Sequence, residues 1–355
     1  MTKCISDLSG TSLTVLAEKY LLFLGDVAEP EFAKTAFGLR DWAPERCVGE
    51  CLFPGATVTT GLPRMTPAEA FANGARAIVI GVAAIGGRLQ ANWVPMLVHA
   101  LEAGLDIVSG THTLLTSVPE LVDAASGRGR RLIDIRRPPA NLPIATGRKR
   151  AGKRLLTVGT DCALGKKYTA LCIARAFRQR GICADFRATG QTGILIAGRG
   201  IPIDAVVADF VAGAAEALSP DADPGHWDVI EGQGSVFHPA YAGVSLGLLH
   251  GSQPDIVVVC HAVGRLHVLG YPDYPVPSLK ETIEMHLALA RRVNPEARCA
   301  GVSLNTSSLP PDDAGVALRT AAAELQLPVA DPLRPELGFQ GLIDSCLRGF
   351  PAASS

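Results

Sequence analysis

The stretch TVGTDCALGKKYTAL, residues 157–171, joins an apolar strand pattern to a helical one through a short loop with Gly159 and Gly165 at its ends. Free backbone N–H groups at such a junction, the positive end of the helix dipole and the ammonium of Lys166 together make an anion site. Gly159, Thr160, Asp161, Cys162, Ala163, Gly165, Lys166 and Lys167 are therefore the candidate cofactor-binding residues. The strict nucleotide-hydrolysing pattern is G-x-x-x-x-G-K-[ST]. Here Thr160 replaces its first Gly, and Lys167 stands where a Ser or Thr hydroxyl would hold magnesium. An ammonium is a poor neighbour for that ion, so the loop reads as one that holds a phosphorylated ligand without cleaving it, and no metal is expected. Thr169 is a second hydroxyl within a metal's reach, and a plain Gly-containing turn is the competing reading.

Other chemistry-bearing residues also fall at strand ends, where open α/β sheets place ligands. Glu231 in "VIEGQGS" follows a strand, as a group near phosphates or as a surface charge. The Gly-rich "TGQTGILIAGRGIPIDAVVADF" reads as a loop in which Gln191, Thr192 and Arg199 meet phosphate or substrate, with Asp204 capping the next helix. His238 follows "EGQGS", His261 closes "DIVVVCH", and Arg265, Tyr271 and Tyr274 share a Pro- and Gly-rich loop of the kind that carries binding sites. Ser109 and His112 end a strand in the first half, and Asn305 ends one in the second. "GDVAEP" and "GVAAIGGRLQ" resemble Rossmann-type loops but lack G-x-G-x-x-G with its distant acid.

The elements that must position these residues alternate between strand and helix. "LLFLGD", "ARAIVIGVA", "LDIVSG" and "RRLIDIRRPP" read as strands, with "NWVPMLVHALEAG" as an amphipathic helix. Strands are expected again at "RLLTVG", "ICADFRAT", "HWDVIEG", "DIVVVCH", "RCAGVSLNT" and "LPVAD". Helices are expected over 165–180, 204–218, 240–250, 279–292 and 312–325, the fourth opened by a capping box of Ser278 and Glu281. The basic stretch 140–154 reads as a solvated linker. The expected fold is α/β with two doubly wound domains, a Rossmann-like one over 1–145 and a P-loop-NTPase-like parallel sheet over 146–355.

Composition sets the class. The chain has 355 residues, 48% hydrophobic and 19% charged, with a net charge of −1, enough for two cores and unsuited to nucleic acid. Nine cysteines without metal-ligand spacing suit reduced thiols better than a disulfide framework. With no apolar run of signal-peptide or membrane-span length, the expected place is the cytoplasm, and the expected assembly a homo-oligomer without membrane contact.

"GTDCALGKK" is similar in spacing to the G-T-D-x-x-x-G-K-T loop of dethiobiotin synthetases, and "VIEGQGS" to their V-E-G-x-G segment. A longer resemblance runs through "KTAFG" at Lys34, "SGTHTLL" at Ser109, "GTDCALGK" at Gly159 and "EGQGSVFHPAYAGVSLGLLHGSQPD" at Glu231. These segments resemble a family first described as a domain of unknown function, whose members are assigned as D-glutamate N-acetyltransferases that use acetyl-CoA. The resemblance implies a small acidic amino acid as substrate and acetyl-CoA as co-substrate, its pyrophosphate gripped by the loop. An ATP- and Mg-dependent ligase of the dethiobiotin-synthetase kind and a non-catalytic nucleotide-binding regulator are the rival readings. Asn305 matches the position where dethiobiotin-synthetase relatives read adenine, and a plain turn residue is its other reading.

Acyl transfer to an amine needs a base, an oxyanion donor and cations for the substrate carboxylates. His238 and His261 are the candidate bases and Glu231 the third candidate catalytic group. Gln191, Thr192, Arg199, Arg265, Tyr271, Ser109 and His112 are the candidate substrate-binding residues.

Overall fold

The computed structural model describes residues 19–82 and 88–350. Of the expected loop "GVAAIGGRLQ", residues 83–87 lie outside them. The chain divides into two compact units. The N-terminal unit holds the described residues up to Pro138 together with Gln191–Ala205, and the C-terminal unit holds Pro139–Gly190 and the chain from Val206. The units thus part at Pro138 and Pro139 rather than after 145, and the second half returns a segment to the first.

The N-terminal unit is a five-stranded parallel sheet of β1 (Tyr20–Gly25), β2 (Cys47–Leu52), β3 (Ala77–Ile80), β4 (Asp106–Ser109) and β5 (Leu132–Asp134). Its order, β2-β1-β3-β4-β5, is doubly wound, with the switch point between β1 and β3. Helices α1 (Lys34–Trp42), α2 (Pro67–Ala72), α3 (Val94–Glu102) and α4 (Pro119–Arg128) connect the strands. Every residue of β1, β3 and β4 is buried, as strands covered on both faces must be. The loop after β1 is occupied by structure: Asp26 accepts hydrogen bonds from Trp93 Nε1 and Asn92 Nδ2, both at 2.8 Å. Neither β2 nor α2 announces itself by apolar periodicity. A full capping box of Thr66 and Glu69 opens α2.

In the C-terminal unit the strands are β6 (Lys153–Gly159), β7 (Ala184–Arg187), β8 (Trp227–Ile230), β9 (Ile256–Ala262), β12 (Arg298–Asn305) and β13 (Val329–Ala330). They form one parallel sheet in the order β13-β12-β9-β6-β8-β7. A short antiparallel hairpin, β10 (His267–Val268) with β11 (Tyr271–Pro275), follows β9. The helices are α5 (Lys166–Gln179), α7 (Val211–Leu218), α8 (Ala242–Ser252), α9 (Leu279–Ala290), α10 (Pro311–Leu325) and α11 (Phe339–Leu347). β6 lies between β8 and β9, so the loop that leaves it opens at the centre of the sheet's C-terminal edge.

Several expectations are corrected. The Gly-rich segment after β7 is not all loop: Gln191–Ala197 forms helix α6, which packs with α1 in the N-terminal unit. Its glycines masked a helical run, Gly193–Leu195, that is buried. Asp204 caps no helix but lies in a 3-10 turn paired with Arg136 at 2.9 Å. Only half of the Ser278 box exists, Ser278 accepting from the Glu281 N–H at 3.2 Å. The basic stretch is solvated over most of its length, but its Arg150 and Arg154 are buried. Arg154 is 1% exposed and donates to the carbonyls of Arg150, Ala151 and Pro220, while Thr146 and Gly147 donate to the Glu216 carboxylate. The described thiols of Cys47, Cys51, Cys162, Cys172, Cys260, Cys299 and Cys346 are free. Cys183 is disulfide-bonded, so reduced thiols do not hold throughout. No helix among the described residues is long and apolar enough to cross a membrane.

Two glycines on one face of α8 let α7 approach. A Cβ on Gly247 would lie 2.5 Å from Val211 Cγ1, and one on Gly251 would lie 2.1 Å from the Ala212 carbonyl oxygen. Gly243, in the first turn of α8, faces open space. Gly251→Ala is therefore expected to lower the melting temperature, since backbone must give way at a cost of about 1–3 kcal/mol. Gly243→Ala is expected to raise it by the helix-propensity gain of about 0.4–1 kcal/mol. Thermal melts of the two single variants against the parent check both signs.

Candidate active site

β6 delivers the chain to Gly159 at the sheet edge, and α5 begins at Lys166. Between them the backbone takes two left-handed residues, Ala163 at φ 54° and Gly165 at φ 109°. The second is a conformation that glycine adopts without strain, which is why the helix is entered through Gly165. Alternation of this sort turns successive N–H groups to one side and makes an anion cradle. Lys166 is 7% exposed and its Nζ donates to the Asp161 carbonyl at 2.7 Å, so the ammonium is folded back into its own loop. Burial holds its pKa below the ordinary lysine value.

Asp161 is fully buried and its carboxylate is the loop's fastening. Oδ1 accepts from the Cys162 N–H at 2.6 Å, and Oδ2 accepts from Arg265 Nη1 at 2.7 Å and from the Leu269 N–H at 2.9 Å. Arg265 thus pairs with Asp161. Thr160 donates its backbone N–H to the Cys260 carbonyl, and its hydroxyl lies 2.8 Å from His261 Nδ1. The segment after β8 closes in from the other side: Ser235 Oγ donates to the Thr160 carbonyl at 3.2 Å, and Gly232 N donates to Thr157 Oγ1 at 2.9 Å. A Cβ on Gly232 would sit 1.7 Å from the Thr157 carbonyl oxygen, which accounts for the first glycine of "EGQGS".

The two hydroxyl positions relevant to a metal differ from a hydrolytic loop. Lys167 Nζ lies 4.5 Å from the Tyr168 ring centroid. Thr169 is 3% exposed and shares a 2.7 Å hydrogen bond with Ser303 Oγ, so it faces the sheet and not the loop. Glu231 Oε2 accepts the N–H groups of Thr189 and Gly190, both at 3.0 Å, and Thr189 Oγ1 donates to the Glu231 carbonyl. The carboxylate therefore orders the exit of β7. Asn305 Oδ1 accepts the Ser307 N–H at 3.0 Å, the geometry of a turn residue.

His238 stands beside the loop: one of its ring nitrogens, an Asp161 carboxylate oxygen and the Cys162 thiol lie within 4.8 Å of one another. Both Asp161 oxygens already hold donors, one of them cationic, so a metal there would have to displace Arg265. The imidazole is 2% exposed, with the Tyr241 ring 4.4 Å away and tilted by 31° and the Tyr271 ring edge-on at 5.1 Å. Burial pushes its pKa down, the neighbouring Asp161 pulls it up and Lys166 pushes it down further. His261 is likewise lowered, by burial and by Arg265.

The remaining candidates collect in the N-terminal unit. Thr192 Oγ1 lies 3.0 Å from Thr35 Oγ1, joining α6 to the "KTAFG" helix. Ser109 Oγ accepts the Thr111 N–H, while His112 is exposed. Gln191 Oε1 is buried without a hydrogen-bond partner among the described residues, and a Cβ on Gly110 would come within 2.6 Å of it. Arg199 is half-buried in the same returned segment. His286, which no motif signalled, donates from Nδ1 to the Thr282 carbonyl at 2.7 Å and lines a cavity of about 10 Å³ with Gly159, Gly232 and Ser235. That cavity has room for about one water, so it is not a cofactor site.

Residues 46–138 match the family model described as "Domain of unknown function (DUF1611_N) Rossmann-like domain", and residues 143–339 the one described as "Domain of unknown function (DUF1611_C) P-loop domain". A protein of Tritonibacter scottomollicae named D-glutamate N-acetyltransferase is 50% identical over 319 residues, covering 90% of this chain and 96% of its own. One of the same name from a Pseudoalteromonas species is 49% identical over 315 residues, covering 89% and 95%. The crystal structure of a DUF1611 family protein from Anabaena variabilis matches with a TM-score of 0.80 at 31% identity, over 94% of this chain and 99% of that one.

Burial holds His286 neutral, its pKa lowered to about 4. In the unfolded chain an imidazole takes its proton near pH 6.5, so between those values the unfolded state binds more protons and acid favours unfolding. Stability is expected to fall as pH drops from 6.5 towards 4, His286 contributing on the order of 3 kcal/mol. His286→Gln should flatten that slope in melts recorded across the same pH range. An unchanged slope would remove His286 as its source.

Proposed function

The chain belongs to the DUF1611 family, and on that premise we propose that it transfers the acetyl group of acetyl-CoA to the amino group of D-glutamate. The observation that carries the reading is the agreement of about 50% identity over nine-tenths of the chain, with relatives of that name, and an anion loop suited to holding phosphate rather than hydrolysing it. Coenzyme A offers a pyrophosphate to the loop. The amides around Gly165, the helix dipole and Lys166 supply the positive potential. Thr169 is turned into the sheet and Lys167 replaces the magnesium-holding hydroxyl, so no metal takes part in this reading.

Attack of the amine on the thioester carbon needs the ammonium to lose a proton and the carbonyl oxygen to be stabilised as charge develops. The pantetheine arm is about as long as four extended residues, roughly 14 Å. With the pyrophosphate in the loop, an extended arm carries the thioester well away from Lys166. Arg265, bonded to Asp161, then orders the loop in place of holding a substrate carboxylate, and Glu231 serves the backbone of Thr189 and Gly190. Gln191, Thr192, Arg199, Ser109 and His112, also expected to bind substrate, belong to the N-terminal unit, where Gln191 Oε1 is an unpaired acceptor among the described residues.

The test is a panel of D- and L-amino acids with acetyl-CoA, read as release of free thiol. Turnover with D-glutamate that survives a metal chelator is expected. Turnover that stops in chelator, returns with magnesium and requires ATP would transfer the reading to a dethiobiotin-synthetase-like ligase. Lys166→Ala is expected to weaken acetyl-CoA binding about ten- to a hundred-fold, the worth of one charged hydrogen bond. Calorimetry with unchanged affinity would remove the loop from the cofactor site. Lys167→Thr, which restores the hydrolytic pattern, is expected to leave acetyl transfer no faster.

A further inference from the structure

We infer that His238 is a neutral hydrogen-bond donor to a cofactor phosphate, and not the base of the acyl transfer. The inference rests on the acetyl-CoA reading and adds to it a residue of the phosphate subsite together with its protonation state.

The tautomer follows from one contact. His238 Nδ1 lies 3.1 Å from the backbone nitrogen of Ala240. An amide N–H only donates, so Nδ1 is the acceptor and carries no proton. Which ring nitrogen is protonated is set by the bond the other one makes. In the neutral ring the proton is therefore on Nε2. A ring in this state offers an N–H at Nε2, and its one lone pair is engaged by the Ala240 N–H. The Tyr241 and Tyr271 rings pack on its face and edge, and the backbone is held by the His238 N–H to the Ser235 carbonyl and the Ala242 N–H to the His238 carbonyl. Turning the ring over would break the bond from Ala240.

Position decides what the N–H meets. His238 stands within 4.8 Å of Asp161 and Cys162, the residues that form the loop, and the Ser235 hydroxyl three residues earlier is tied to the Thr160 carbonyl. On the acetyl-CoA reading, a phosphate held by the loop is the part of the cofactor nearest the ring, whereas the thioester of an extended cofactor lies about 14 Å further on. Burial holds the imidazole's pKa below its ordinary value against the pull of Asp161, and Lys166 lowers it further. A neutral N–H added to a lysine and a helix N-terminus strengthens the hold on phosphate without a further charge to desolvate.

The experiment compares His238→Ala with His238→Gln, whose amide N–H reaches about the place of Nε2 but cannot accept a proton. His238→Ala is expected to weaken acetyl-CoA binding about ten-fold or more by calorimetry while kcat at saturating acetyl-CoA stays within about three-fold. His238→Gln is expected to restore most of that affinity. Acetyl-pantetheine, which lacks the pyrophosphate, is expected to react equally well with the parent and both variants. A collapse of kcat in both variants, with KM for acetyl-CoA unchanged and melting temperatures preserved, would assign His238 to the chemistry and overturn the inference. So would nitrogen NMR of the resting protein showing the proton on Nδ1. Should the parent bind no acetyl-CoA, the acetyltransferase reading falls. Titration with inorganic pyrophosphate then decides His238 separately: weaker binding by His238→Ala upholds the donor, and equal binding removes it.

Discussion

One buried carboxylate organises the C-terminal site. Asp161 has no exposed surface, and its two oxygens accept from its own loop, from Arg265 and from the Leu269 N–H. Leaving such a group uncompensated costs far more than any single bond to it contributes, so the hairpin β10–β11 and the loop must form together. The same residue offers its carbonyl to Lys166 Nζ. One residue thus sets the loop's shape and brings the hairpin against it through its carboxylate, and holds the lysine through its carbonyl.

Close backbone approach is the second constraint. Gly232 lies where a Cβ would be 1.7 Å from the Thr157 carbonyl, and Gly190 where a Cβ would be 2.6 Å from Gln233 Nε2. These contacts let the segments after β7 and β8 crowd the end of β6, which carries the loop. Glu231 completes the arrangement by accepting two N–H groups at the exit of β7. Its carboxylate is thereby engaged with backbone.

How far the sequence discloses this differs by element. Strands buried on both faces, such as β9 with its run of valines, are legible because an unbroken apolar run has few other uses. The loop is legible because Gly165 and Lys166 stand between a strand and a helix. α6 was hidden by its neighbouring glycines, and its return to the N-terminal unit is a tertiary fact that periodicity does not carry. The basic stretch 140–154 looked solvated because charge normally is. Arg150 and Arg154 are buried nonetheless: Arg154 is satisfied largely by backbone carbonyls that no pattern foretells, whereas Arg150 donates only from Nη2, and its Nε and Nη1 have no hydrogen-bond partner among the described residues. Arg265 was legible as a cation at a site, but not its partner, since the choice between Asp161 and a ligand is made by the hairpin. His286 gave no signal, being one histidine at helical spacing.

Holding without hydrolysis places a particular demand on the energetics. On the acetyl-CoA reading, groups that hold the pyrophosphate act on a part of the cofactor remote from the thioester, so their contribution is the same in the bound complex and the transition state. Such binding raises catalytic power only where it fixes the reacting atoms in place. A flexible arm of about 14 Å would dissipate that benefit unless its far end is also constrained. The rigid loop, with its buried Asp161 and the aromatic packing around His238, fixes one end. The other end needs its own ordered polar groups. On this reading the phosphate loop acts as an anchor, and the chemistry falls to residues at the far end of the arm.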